Sequence, residues 1–99
     1  MSTVSLTVVA RMKAKPGKAI PLRQALEAIV APSRKDAGCL NYDLHQSKED
    51  PAQFLFHENW TSKTHLDAHL KQPHLQAFLA KANDLLAEPP QIGLWEKIG

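Results

Sequence analysis

A single cysteine, Cys39, is the first informative scarcity. It cannot close an internal disulfide, and small secreted domains usually carry several such bridges. Long apolar runs are missing as well. No stretch nears the roughly 20 apolar residues of a membrane span, and Met1–Ala10 shows no basic start followed by an apolar run of signal-peptide length. The expectation is a cytoplasmic protein that does not engage membranes. Charge of one sign is equally scarce. Twelve basic residues face ten acidic ones, a net +2 at pH 7, and Lys13, Lys15, Lys18, Arg34 and Lys35 are scattered. A nucleic-acid binder gathers such residues on one face, so none is expected as a partner.

What is present describes a small globular protein. Ninety-nine residues suit one domain, 1–99, and a 43% apolar fraction argues against disorder. A chain this short buries only about 60–65% of its unfolded surface. A partner subunit covering further apolar surface would help it.

Val4, Leu6, Val8, Ala10 and Met12 alternate with Ser5, Thr7, Val9 and Arg11, the period of a half-buried strand. Pro16-Gly17 ends it. From Ile20 the spacing becomes helical: Leu22, Ala25, Leu26, Ile29 and Val30 share one face. Pro21 suits a first turn, and Pro32 is expected to kink or end the helix. A second strand runs from Cys39 to Ser47, with Leu40, Tyr42 and Leu44 on one face. A third, Gln53 to Trp60, puts Phe54, Phe56, Glu58 and Trp60 together and Leu55, His57 and Asn59 opposite. Thr61 or Ser62 can cap a helix bearing Leu66, His69 and Leu70. Pro73 interrupts it before a stripe of Leu75, Phe78, Leu79, Ala82, Leu85 and Leu86. Ile92, Leu94 and Ile98 mark a last strand, with Trp95 facing away.

The order β-α-β-β-α-(α)-β is the ferredoxin-like α+β arrangement, a four-stranded antiparallel sheet with helices on one face. Its other face, with Val9, Leu55, Asn59 and Trp95, would be bare in a monomer and is an expected interface.

Gly38-Cys39-Leu40-Asn41-Tyr42 resembles the start of the second strand in the antibiotic-biosynthesis-monooxygenase superfamily. Glu58-Asn59-Trp60-Thr61-Ser62, then Ala68-His69-Leu70, then Pro73-His74 resembles its most distinctive segment, in the form found in bacterial quinol monooxygenases. The resemblance implies a homodimer whose sheets pack into an α/β barrel. It implies oxidation of a small quinol or phenolic aromatic by O2 with no metal, flavin or haem. The substrate anion would pass an electron to O2 and the radical pair would recombine. Such chemistry needs a base tuned near neutral pH and a dry cavity, and histidine suits the first.

His69, His74 and Trp60 are accordingly the expected catalytic group. Tyr42, Phe56, Glu58, Leu66 and Phe78 are the expected substrate-binding set, between sheet and helices. Each also has an ordinary reading: Trp60 and Tyr42 as core aromatics, the histidines as surface or structural residues. Glu58, inward and costly if unpaired, is expected to meet Arg11, Lys13 or a histidine. His65 and His69, four apart, offer only two ligands, so no metal site is expected. Cys39 reads as a small buried hydrophobe. Three other functions fit the scaffold: an isomerase of a small hydroxy-ketone or lactone, a haem-degrading oxygenase, and a non-catalytic binder of a hydrophobic metabolite. The haem branch carries an asparagine on its first strand, which Val4–Ala14 lacks.

Overall fold

The computed structural model describes residues 6–99; Val4 and Ser5, expected in the first strand, lie outside them. The elements are β1 (Leu6–Lys13), α1 (Ala19–Arg34), β2 (Cys39–Gln46), β3 (Gln53–Trp60), α2 (Lys63–Leu70), α3 (Pro73–Leu85) and β4 (Gln91–Trp95). The strands pair antiparallel in the order β2-β3-β1-β4. This is the ferredoxin-like α+β fold.

Alternation places the core. Val8, Ala10 and Met12 of β1 stand opposite Glu58, Phe56 and Phe54 of β3, and all six are buried on the helix side. Leu22, Leu26 and Ile29 of α1 and Leu75, Phe78, Ala82 and Leu85 of α3 close over them. Each large apolar side chain among them (Val, Leu, Ile, Phe or Met) removed from water stabilises the fold by about 1.5–3 kcal/mol.

Four expectations need correction. Helix α1 continues past Pro32 to Arg34. A proline this near the end forfeits little, and Lys35 N–H to Pro32 O and Asp36 N–H to Ser33 O, both 3.1 Å, close the last turn. Leu40 does not share a face with Tyr42. A bulge between Cys39 and Asn41 pairs Cys39 with Trp60 and Asn41 with Asn59, and Leu40 is left exposed. Leu79 lies at the rim of the α3 stripe, largely exposed. The last strand ends at Trp95, so Ile98 falls beyond it.

Candidate active site

The inward alternation of β3 carries Glu58 and Trp60 to one end of the core. Trp60, fully buried, donates its indole Nε1–H to Glu58 Oε1 at 2.9 Å. Glu58 is only 4% exposed. Burial raises its carboxyl to about 7, against the lowering effect of the indole bond. Among the described residues it meets neither the cation nor the histidine expected for it: Arg11 and Lys13 are odd-numbered on β1 and exposed on the other side, and its hydrogen-bond partner is Trp60. Across the ladder Tyr42 stands opposite Glu58, and its ring lies 4.6 Å from that of Phe56. Burial, and then the neighbouring Glu58, push the Tyr42 hydroxyl far above its ordinary range.

Helix α2 brings the candidate base. Ser62 caps it, its Oγ accepting from His65 N–H at 3.2 Å. One residue before its end, His69 turns inward and is 2% exposed. Its ring sits 4.7 Å from Trp60 and 5.3 Å, edge-on, from Tyr42. His74 follows in the first turn of α3, behind Pro73, with its ring 5.9 Å from that of His69.

Sequence reasoning missed what joins the two histidines. Asp36, in the connection from α1 to β2, has one oxygen, Oδ2, at 2.6 Å from His69 Nδ1 and 3.0 Å from His74 Nε2. Its backbone is held by Ser33 O and by Cys39 N–H. A carboxylate only accepts. A neutral His69 therefore carries its proton on Nδ1 and keeps the lone pair on Nε2 free. Burial lowers the His69 pKa, opposed by the bond to Asp36, which favours that neutral form. The arrangement can take a proton from a bound acid and steady the resulting imidazolium against Asp36.

The remaining candidates fall into place around this group. Leu66 and Phe78 are buried in the same apolar core and offer walls without polar atoms. His65 does not join His69: its Nδ1 meets Ser62 Oγ at 2.8 Å and Thr61 Oγ1 at 3.0 Å. His45 and His57 are exposed. Burial raises the Cys39 thiol to about 11, with Glu58 adding to the effect, so it is a poor nucleophile. Ser33 Oγ is buried without a partner in hydrogen-bond geometry, although its proximity to Tyr42 acts to lower that hydroxyl's pKa. On the opposite face of the sheet, Asn59 receives Thr7 Oγ1 at 2.6 Å and donates to Asn41 Oδ1 at 2.7 Å. An open cleft of about 670 Å³ also lies away from His69 and His74, lined by Arg11, Lys13, His45, Leu55 and Gln91 among others.

Residues 5–81 match the profile of the family described as Antibiotic biosynthesis monooxygenase. The chain belongs to the antibiotic biosynthesis monooxygenase family. A relative in Mycobacterium tuberculosis named "Putative monooxygenase Rv0793" is 34% identical, covering 88% of this chain and 85% of its own length. "Probable quinol monooxygenase YgiN" of Escherichia coli K12 is 32% identical, over 74% of this chain and 80% of its own. A further relative, 31% identical, is longer, and the chain spans 62% of it. The crystal structure of PA3566 from Pseudomonas aeruginosa superposes with a TM-score of 0.92 at 36% identity, over 97% of this chain and 96% of that one. Among the described residues, no helix is long and apolar enough to cross a membrane.

Proposed function

We propose that this family member is a cytoplasmic, homodimeric monooxygenase that oxidises a small quinol or phenolic aromatic with O2 and needs no metal or organic cofactor. The observation that carries the reading is the Asp36–His69 pair, at 2.6 Å, set against the Trp60 and Tyr42 rings. His69 Nε2 takes the phenolic proton, and Asp36 steadies the imidazolium. The anion gives an electron to O2, and the resulting radicals combine at a ring carbon. One oxygen atom stays on the ring as a carbonyl. The other leaves as water with the two hydrogens that the substrate loses. Trp60, Tyr42, Phe56, Leu66 and Phe78 supply the dry walls that such an intermediate needs. Trp60 and His69 are almost wholly enclosed, whereas the side chains of Asp36 and His74 are 10% and 18% exposed. Substrate therefore enters past His74.

The test is O2 uptake by metal-stripped protein with a panel of hydroquinones and polyphenols. Uptake above the autoxidation blank, lost on boiling and lowered about 10²–10⁴-fold by His69→Ala, is expected for loss of a general base. Uptake equal to the blank across the panel defeats the proposal. Turnover of a hydroxy-ketone under nitrogen would assign the same Asp36–His69 base to isomerisation instead.

A further inference from the structure

The geometry points to a binding site for one first-row divalent transition ion, of which zinc is the representative, formed by Asp36 Oδ2, His69 Nδ1 and His74 Nε2. The three atoms lie within 4.8 Å of one another. They come from three separately anchored parts of the fold: the α1–β2 connection, α2 and the first turn of α3. Two imidazoles and one carboxylate suit zinc and its first-row neighbours. Calcium and magnesium, which prefer all-oxygen shells, are poorly served by such a set.

The distances leave little to rearrange. Bonds of about 2.0–2.1 Å in a tetrahedral shell set neighbouring ligand atoms about 3.3 Å apart. The two nitrogens now stand 2.6 and 3.0 Å from the shared oxygen. An ion would push that oxygen back slightly and draw the nitrogens together, by shifts on the order of 1 Å, without a change of fold. Only three protein ligands are supplied, so the fourth position is open to water or a small anion. The 18% exposed side chain of His74 marks the side from which the ion arrives.

Occupancy also has a chemical consequence, and this part rests on the cofactor-free reading above. An ion on His69 Nδ1 forces the ring proton onto Nε2, the atom proposed as the base. The metal-bound and proton-accepting states of His69 are then mutually exclusive. Zinc should silence turnover in proportion to occupancy.

Isothermal titration of metal-stripped protein with zinc sulfate, in the absence of substrate, tests the site. One equivalent per chain is expected. Asp36→Asn and His74→Ala, each removing one ligand, should weaken binding by on the order of 100-fold, while His65→Ala leaves it unchanged. Far-UV circular dichroism of each variant checks that the fold persists. No saturable binding to the wild type overturns the site, as does wild-type affinity retained in both Asp36→Asn and His74→Ala. The two readings fail separately. Zinc binding without any O2 uptake keeps the site and removes the quinol reading, and uptake that rises with zinc keeps the site and removes the cofactor-free reading.

Discussion

Glu58 and His69 share the buried end of the core and respond to pH in opposite senses. The fold holds the Glu58 proton until about pH 7, whereas the unfolded chain releases it near 4.5. Its stabilising contribution is therefore complete below 4.5, declines as pH rises, and is gone above about 7. That shift is worth about 3 kcal/mol. His69 has the lowered pKa, so the unfolded chain takes up its proton first. Its contribution is present above 6.5 and fails as the medium becomes acid. Glu58→Gln keeps an oxygen for the Trp60 indole and removes the titration. Urea unfolding should find this variant more stable than wild type at pH 8, by up to about 3 kcal/mol, and similar to it at pH 4.5. Equal stabilities at pH 8 would mean that water or movement relieves the buried carboxylate. At this scale the sequence was partly legible. Inward alternation placed Glu58 and Trp60, but not that they bond each other, because two residues on one strand face meet only if their rotamers converge. Asp36 left no signal at all. A lone acid in a turn has no periodicity, and its link to His69 and His74 crosses more than thirty positions.

Elements were more legible, since burial periodicity is a property of the chain itself. Strand β3 runs over the expected residues, and Ser62 caps α2 as anticipated. The bulge after Cys39 was not foreseen, for it arises from pairing with β3 and not from alternation within β2. Just before it stands Gly38, whose φ of 81° lies in the left-handed region. A Cβ there would sit 2.3 Å from His65 Cγ, while Gly38 O receives Thr61 N–H at 2.9 Å. Glycine thus lets the strand start and α2 approach each other. Gly38→Ala should cost about 2–4 kcal/mol, from backbone strain of about 1–3 kcal/mol and the clash together. Adding His65→Ala should restore only part of the clash component, because the His65 Cβ, 2.5 Å from the added Cβ, remains. Thermal melts of the single and double variants check this; full recovery in the double variant would remove backbone strain from the account. Ser62→Ala, losing the cap, should cost about 1 kcal/mol in the same assay.

For the whole molecule, the proposed dimer is the remaining question, and the outer face supplies its test. Val9 and Leu55 are half-buried there, and Trp95, 60% exposed, extends the apolar area along β4. Its register partner, Thr7, belongs to the ordered amide row through Asn59 and Asn41. Thus apolar patches flank polar groups already satisfied within the chain, which costs less to desolvate than a face of unpaired amides. If a second copy covers this face, Trp95 alone removes enough apolar area to contribute about 3 kcal/mol. Wild-type protein should then sediment at twice its 11.0 kDa mass. Because a two-fold dimer buries two copies of Trp95, Trp95→Ser should raise the dimer dissociation constant by about 10⁴-fold while far-UV circular dichroism stays unchanged. The helix-side site predicts one thing more. His69 lies across the sheet from that face, so the monomeric variant should retain the Asp36–His69 pair and, if turnover falls, should lose it through mobility of the sheet and not through loss of the base. Zinc titration of Trp95→Ser separates the two, because an intact ligand set would bind as tightly as in wild type. A wild-type protein that sediments as a monomer at every concentration would remove the dimer, leaving Trp95 an exposed side chain with no role in assembly.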